Sequence, residues 1–231
     1  YTAKILGVDL LVHYGHSCLV PVEQTNGVKV LYIFVDIQID PKHLIDTVIK
    51  NFQEKPKTAL ISTIQFVSTL QFVSKALGDE GFEVTLPQVK PLSAGEILGC
   101  TAPVINCADI IIYVGDGRFH LEAAMIANPK LKAFKYDPYT KKFTAETYDH
   151  KAMQQQRLKD IEQAKEAKVF GIIMGTLGRQ GNFKVVDYLR NRLEASDKEV
   201  VVILMSEIFP AKLQLFEKVD AFVQVACPRL S

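Results

Sequence analysis

Short, continuously apolar runs of strand length alternate with helical patterns along almost the whole chain, and this alternation constrains the fold most. Most runs are apolar on both faces, which is typical of parallel strands covered by helices on each side. The order strand, helix, strand predicts right-handed β–α–β units and therefore an α/β fold. The predicted strands cover residues 10–14, 30–35, 58–64, 82–86, 110–114, 132–136, 169–174, 200–205 and 221–225. The predicted helices cover residues 41–52, 66–78, 120–128, 152–168 and 182–196.

A faint internal repeat runs through the chain. The stretches "VDLLVHYG", "ADIIIYVG" and "VDAFVQVA" each place an aspartate ahead of an apolar run. These aspartates (Asp9, Asp109 and Asp220) recur at intervals of about 100 to 110 residues, and "TALIST" and "VFGIIMG" follow a similar interval. The pattern predicts three copies of one small α/β unit. The alternative is that buried strands resemble one another by composition alone.

The repeat predicts three domains, at residues 1–45, 46–145 and 146–231. The chain opens at Tyr1 without a methionine and ends at Ser231. We therefore expect the first and the last copies to be incomplete.

Charge and hydropathy exclude two classes of partner. The formal net charge is +1, which provides no field to attract nucleic acid or an anionic membrane. The longest apolar runs are too short to span a bilayer. Nothing at the start of the chain resembles a secretory leader, so we expect a cytoplasmic protein with reduced thiols.

The four cysteines are too scattered for a zinc finger and too few for a disulfide scaffold. Cys18 and Cys227 each follow a predicted strand, and Cys100 lies in the loop-like stretch "LGCTAP". Three thiolates that meet at one crevice would suit a soft metal or an iron–sulfur cluster. Burial without any metal is the alternative. Cys107 precedes a predicted strand, at the end opposite a crevice, and we expect it to be a packed thiol.

Two glycine-rich loops follow predicted strands and precede predicted helices: "GDGRFH" from Gly115 and "GTLGRQGN" from Gly175. Exposed N–H groups and a helix N-terminus favour anions there, and Arg118 or Arg179 could bind a carboxylate. Neither loop matches a phosphate-binding loop or a full dinucleotide motif, so tight turns alone are the alternative. In "SEIFP", Glu207 could hold an amino group or serve as a charge at a helix N-terminus.

Three histidines (His13, His16 and His120) are acid–base candidates by residue type alone. His13 lies within an apolar strand, where a hydrogen-bonded core residue is the commoner case. The sequence pairs none of the three with a partner, and we assign no catalytic side chain.

These motifs together resemble a known family. "YGHSCLVP", "LGCTAP", "GDGRFHLEAAMIANP", "GTLGRQGN", "SEIFPAKL" and "QVACPRLS" look like the 3-amino-3-carboxypropyl transferases that begin diphthamide biosynthesis, and among them the first subunit of the eukaryotic enzyme. The resemblance runs over nearly the whole chain, with the motifs in the same order. It implies three Rossmann-like domains, each with a small parallel sheet, around a central cleft.

The resemblance also implies a cofactor and its ligands. One cysteine from each domain would hold a 4Fe-4S cluster, and the matching positions are Cys18, Cys100 and Cys227, whereas Cys107 matches no motif. S-adenosylmethionine would be the cosubstrate. Its contacts would come from the two loops and from the glutamate noted above, at Gly115, Asp116, Gly117, Arg118, Arg179, Gln180 and Glu207.

The reaction implied by the resemblance transfers the aminocarboxypropyl group to a histidine ring carbon of translation elongation factor 2 and releases methylthioadenosine. It implies a homologous second subunit and an external electron donor as partners. Two alternatives stay open: a catalytically silent partner subunit with the same fold, and a small-molecule binding protein whose cysteines are merely buried.

Overall fold

The structure is a computed structural model that describes residues 2–14, 27–99, 102–176 and 181–226. Its helices are α1 (Thr2–Ile5), α2 (Pro41–Asn51), α3 (Val67–Asp79), α4 (Phe119–Ala127), α5 (His150–Lys165), α6 (Phe183–Glu194) and α7 (Pro210–Leu213). Its strands are β1 (Leu10–Tyr14), β2 (Lys29–Ile33), β3 (Thr58–Ser62), β4 (Val84–Thr85), β5 (Ile110–Val114), β6 (Lys132–Asp137), β7 (Lys142–Glu146), β8 (Val169–Gly175), β9 (Glu199–Met205) and β10 (Ala221–Val225). None of the helices in these ranges is long and apolar enough to cross a membrane.

The central sheet has five strands in the order β4-β3-β5-β6-β7, and all its pairs are parallel except β6 with β7. Every residue of β3 and β5 is buried. This burial explains their continuously apolar sequences, because each face of these strands meets a hydrophobic layer. The chain is therefore an α/β protein with mainly parallel sheets, as its sequence predicts.

Two hydrophobic layers cover the two faces of this sheet. Alternate β5 residues belong to different clusters: Ile112 packs with Leu70 of α3, whereas Ile111 packs with Leu121 of α4. All four of these side chains are completely buried. Burying an aliphatic side chain of this size contributes about 1.5–3 kcal/mol, so the two layers hold α3 and α4 firmly on the sheet.

A second, three-stranded sheet has the order β10-β8-β9 and is parallel throughout. Its central strand, β8, is buried along most of its length. The small core beside it consists of Ile172, Met174 and Val186, the last of these from α6. β1 and β2 form a separate two-stranded sheet.

The chain divides into two compact units. Residues 31–150 with 12–14 form one unit, which holds the five-stranded sheet. Residues 151–226 with 2–11 and 27–30 form the other, which holds the three-stranded sheet. The structure does not confirm three repeated domains, and that division stays a prediction.

Two of the three repeated aspartates make equivalent hydrogen bonds. The backbone N–H of Lys57 donates to the Asp109 carboxylate at 3.0 Å, and that of Lys168 donates to the Asp220 carboxylate at 2.9 Å. Each aspartate directly precedes one strand and ties it to the start of its parallel neighbour. The faint sequence pattern thus has a structural role in both units.

Candidate functional site

Most of the predicted site residues follow the carboxyl ends of strands in the sequence. In α/β proteins the loops at these strand ends are where ligands bind. The structure describes the strand ends at Tyr14, Gly175 and Val225, just before three of the predicted loops. Six predicted residues lie outside the described residues: Cys18, Cys100, Cys227, Arg179, Gln180 and His16.

The segment that leads to Cys100 runs beside the carboxyl end of β3. The Ser62 N–H donates to the Gly95 carbonyl oxygen at 2.8 Å, and the Ile97 N–H donates to the Ser62 carbonyl oxygen at 2.9 Å. Glu96 and Ser62 form an isolated parallel bridge. Gly95 has a φ of +82°, a backbone conformation that favours glycine. These contacts fix the chain four residues ahead of Cys100.

Gly99 brings this segment against the start of α4. It is buried, and a Cβ at this position would lie 1.9 Å from Cε1 of Phe119, the first residue of α4. Such a distance is far below van der Waals contact, so only glycine fits without a shift of the ring. The residue that immediately precedes Cys100 is therefore packed on α4.

Asn128 holds the segment on the other side of Cys100. Its side-chain oxygen accepts a hydrogen bond from the Ile105 N–H at 2.7 Å, and its amide nitrogen donates to the Pro103 carbonyl oxygen at 2.9 Å. The same nitrogen donates to the Ala124 carbonyl oxygen within α4, also at 2.9 Å. Only 5% of Asn128 is exposed. Its place at the end of a predicted helix, before a proline, is typical of a C-cap, but no sequence pattern indicated its bonds to Pro103 and Ile105.

The loop at residues 115–118 connects β5 to α4 and is shaped by Tyr113. The phenol of this buried tyrosine donates a hydrogen bond to the Asp116 carbonyl oxygen at 3.4 Å. Burial raises the pKa of Tyr113 well above its usual range, and the Asp116 carboxylate adds to this rise, so the phenol stays protonated. A Cβ at Gly115 would lie 2.5 Å from the phenol oxygen, and Gly117 has a φ of +65°. The close phenol therefore requires glycine at position 115, and the left-handed backbone favours glycine at position 117.

Arg118 makes three contacts with other described residues. Its guanidinium binds Glu122 at 3.2 Å, forms an ion pair with Glu146 of β7, and donates to the Thr147 carbonyl oxygen at 2.9 Å. About half of its side chain is exposed. These contacts tie the loop to the edge of the central sheet, a role that residue type alone did not indicate.

Glu207 lies in the loop after β9, and most of its side chain is exposed. The only ion pair that the described residues give it is with Lys212, at 3.8 Å. An exposed pair at this distance contributes little to stability. The carboxylate is therefore accessible, as ligand binding would require.

Cys107 is exposed, so the expectation of a packed thiol was wrong. Its sulfur lies 3.8 Å from the Thr85 hydroxyl, near the amino end of β5. Its neighbours Ile105 and Ala108 pack against the hydrophobic cluster beside β5, whereas Cys107 does not belong to that cluster. Among the described residues, no group of three or more His, Cys, Asp or Glu side chains is arranged to hold a metal ion.

Two of the three candidate histidines, His13 and His120, lie among the described residues, and both make ring contacts. The His13 ring lies 5.3 Å from that of Tyr32, and the two are partly buried. The His120 ring stacks near that of Tyr113, at 6.4 Å, and meets the Phe119 ring edge-on at 5.5 Å. His120 therefore belongs to the aromatic group at the start of α4.

Glu96 is a residue that the sequence analysis missed. Only 2% of it is exposed, and one carboxylate oxygen accepts a hydrogen bond from the Ser93 N–H at 3.0 Å. Within the described parts of the chain, its other oxygen has no hydrogen-bond partner. No motif signalled this residue, because an isolated glutamate in a loop normally points to solvent.

Comparisons with known proteins agree over the full length of the chain. The sequence model of the diphthamide synthesis protein family matches residues 1–231. The 2-(3-amino-3-carboxypropyl)histidine synthase subunit 1 of Nematostella vectensis is 54% identical over 231 residues, and that of Homo sapiens is 53% identical over 233 residues. Both alignments cover the whole chain but only 50% and 53% of these relatives, so the chain spans about half their length.

A solved structure has a fold similar to that of this chain. The crystal structure of Dph2 from Pyrococcus horikoshii with a 4Fe-4S cluster superposes with a TM-score of 0.77 at 28% sequence identity. The superposition covers 99% of this chain and 67% of the archaeal chain. The archaeal protein is thus similar in fold to nearly all of this chain.

Proposed function

Because the chain belongs to the diphthamide synthesis protein family, we propose that it acts in the first step of diphthamide biosynthesis. The reaction is the transfer of the 3-amino-3-carboxypropyl group from S-adenosylmethionine to a histidine of translation elongation factor 2. The observation that carries this proposal is the similarity of this whole chain to part of proteins named as the synthase. A protein of similar fold has been crystallised with a 4Fe-4S cluster, which supports the proposal further.

The donor set fits an iron–sulfur cluster, with Cys18, Cys100 and Cys227 as the proposed ligands. Thiolates are the usual ligands of such clusters, and three of them leave one iron free for a substrate. The described chain supports this choice, because β1 and β10 end shortly before two of these cysteines and the third follows the segment beside β3. Cys107 lies by the amino end of β5 and is not part of the proposed set.

When bound, the cluster would supply the electron that cleaves the bond between the sulfonium sulfur and the aminocarboxypropyl chain. The protein's own residues would bind and orient S-adenosylmethionine so that this bond is the one that breaks. We propose that the loop at Gly115–Gly117, with Arg179, Gln180 and Glu207, makes these contacts.

Arg118 is part of the same proposed binding loop. Its ion pair with Glu146 and its hydrogen bond to Thr147 support a role in holding the loop, with the exposed part of the guanidinium available to a ligand carboxylate. The loop glycines permit a close backbone approach by the ligand.

The proposal extends to the assembly. The relatives are named as subunit 1, and we propose a heterodimer with a homologous second subunit in the cytoplasm, with an external electron donor. We also retain the three-domain organisation around a central cleft, at residues 1–45, 46–145 and 146–231, as part of this proposal. The matched hydrogen bonds of Asp109 and Asp220 support a repeat in two of the copies.

The test is anaerobic reconstitution of the full-length chain, with its partner subunit, using iron and sulfide. We expect a visible iron–sulfur absorption that is lost in Cys18→Ala, Cys100→Ala and Cys227→Ala. Cys107→Ala is the matched control, because it removes an exposed thiol outside the proposed set. Equal loss of the absorption in Cys107→Ala would overturn the ligand assignment.

The reaction itself is tested by its product. With dithionite as reductant, the reconstituted complex should release methylthioadenosine from S-adenosylmethionine. Release of 5′-deoxyadenosine would mean that the other sulfur–carbon bond is cleaved, and the proposed transfer would be wrong. A cluster without turnover, in the presence of elongation factor 2 and the partner, would favour a catalytically silent subunit instead.

A further inference from the structure

We propose that Asn128 positions the loop that carries Cys100 and thereby governs how well this chain retains an iron–sulfur cluster. The inference rests on the proposed function, because it assigns a role to a residue that would act on a cluster ligand. Asn128 would not touch the cluster. It acts through α4, which holds the chain on both sides of positions 100 and 101.

The first anchor is the contact of Gly99 with Phe119. The absence of a side chain on Gly99 lets the backbone lie directly against the Phe119 ring. Two residues further back, the Ile97 N–H is hydrogen-bonded to the carboxyl end of β3. The chain therefore enters the Cys100 loop from a position fixed by both the sheet and the first residue of α4.

The second anchor is Asn128 itself, at the other end of the same helix. Its side chain satisfies the Ile105 N–H and the Pro103 carbonyl oxygen, at 2.7 and 2.9 Å. The site is nearly inaccessible to water, so no solvent molecule can replace these bonds. The chain thus leaves the Cys100 loop in a fixed position as well.

The hydrogen bonds use both N–H groups and the oxygen of the amide. The oxygen accepts from Ile105, and the two N–H groups donate to Pro103 and Ala124. This pattern orients the amide in one way only. Alanine would remove all three bonds, and aspartate would place a second acceptor against two carbonyl oxygens.

One helix thus holds the described chain on both sides of position 100. Leu121 and Ala124 of α4 are completely buried against the sheet, so the helix is a rigid support. A metal ligand binds best when residues around it fix its position before the metal arrives. Loss of one anchor should therefore weaken cluster retention more than it weakens the fold.

The experiment compares Asn128→Ala and Asn128→Asp with Leu77→Ala in the reconstituted full-length chain. Leu77 is a buried residue of α3 in the hydrophobic layer on the other side of the central sheet, so its variant controls for general destabilisation. We expect the visible absorption of Asn128→Ala to disappear in air about tenfold faster than that of the wild type. Asn128→Asp should show at least as large a change, because a buried carboxylate oxygen would face two carbonyl oxygens, whereas Leu77→Ala should lower the melting temperature without this change.

Two further measurements do not depend on activity. In the cluster-free protein, the Ile105 amide should exchange its hydrogen faster in Asn128→Ala than in Leu77→Ala, because it has lost its acceptor. In the reduced, cluster-loaded protein, the electron paramagnetic resonance spectrum should change in both Asn128 variants and not in Leu77→Ala.

The possible failures are distinguishable. If the wild type forms no cluster, or if Cys100→Ala keeps it, the proposed function fails and this inference fails with it. If the wild type and Cys100→Ala behave as proposed, but the cluster lifetime and spectrum of both Asn128 variants equal those of Leu77→Ala, only the positioning role is overturned.

Discussion

At the scale of single residues, the ring of Phe119 dictates what can stand at position 99. We expect Gly99→Ala to lower the free energy of unfolding by about 1–3 kcal/mol, because the new methyl group overlaps the ring and forces a shift. Chemical denaturation measures this loss. In a Phe119→Ala background the same substitution should cost much less, since the overlapping atoms are gone.

The matched control for this prediction is Gly78→Ala. Gly78 lies in α3, and a Cβ there would have no atom within 4 Å. Alanine restricts the conformations of the unfolded chain more than glycine does, so the free energy of unfolding of this variant should rise by about 0.4–1 kcal/mol. A Gly99→Ala variant as stable as Gly78→Ala would show that the close approach of Gly99 to the ring does not exist in solution.

Single residues also show where sequence reasoning reached its limit. Arg118 was predicted to bind a ligand because of its residue type and its glycine-rich loop. The sequence could not indicate its ion pair with Glu146, because the strand that contains Glu146 was not predicted. Asn128 carried a weak signal as a helix end, yet its hydrogen bonds to Ile105 and Pro103 depend on how the chain folds back. Contacts between residues distant in sequence leave no local pattern.

At the scale of secondary-structure elements, α6 depends on its N-cap. The side-chain oxygen of Asn182 accepts hydrogen bonds from the Lys184 and Val185 N–H groups, at 3.0 and 3.4 Å. We expect Asn182→Ala to lower the free energy of unfolding by about 1 kcal/mol, since these N–H groups lose their acceptor. Asn182→Asp should keep most of the stability. Thermal unfolding of the three proteins measures both effects.

Asn191→Ala provides the control for the cap. This asparagine is exposed in the interior of the same helix, where alanine is the better helix former. The substitution should therefore be neutral or slightly stabilising. If Asn182→Ala and Asn191→Ala proved equally stable, the hydrogen bonds of Asn182 would not cap the helix.

Most strands could be predicted because their sequences are continuously apolar, and β3, β5 and most of β8 are indeed buried on both faces. All nine predicted strands are present, although the one at residues 82–86 contracts to Val84–Thr85. The strand that was missed is β7, whose sequence "KFTAE" has no continuous apolar run. It pairs antiparallel at the edge of the sheet and is half exposed, so its weak alternation was indistinguishable from a loop.

At the scale of the whole molecule, the sequence predicts the architecture better than it predicts the site. Buried strands, helices and the repeated aspartates leave regular patterns, and the observed sheets follow them. The proposed meeting of three distant cysteines would leave none, because residues far apart in the sequence share no local pattern. The resemblance to a family, and not the spacing of Cys18, Cys100 and Cys227, supplied that part of the proposal.

The hydrogen bonds of Asp220, one of the repeated aspartates, make the stability of the protein depend on pH. Asp220 accepts hydrogen bonds from the Val169 and Lys168 N–H groups, which hold the pKa of its carboxyl below the ordinary value of 3.8. These bonds therefore stabilise the protein fully above that value, and their contribution is lost as the pH falls through the lowered pKa. We expect Asp220→Ala to have a lower melting temperature than the wild type at neutral pH. The difference should shrink on acidification below pH 3.8.

Hydrogen exchange can show that the two aspartates act separately in the two units. Asp220→Ala should speed exchange at the Lys168 and Val169 amides and leave the Lys57 amide unchanged, whereas Asp109→Ala should do the reverse. This separation follows because each carboxylate ties together neighbouring strands of its own sheet. If either substitution loosened all three amides equally, the aspartates would act on one shared core. The repeated pattern would then not mark two structurally equivalent units.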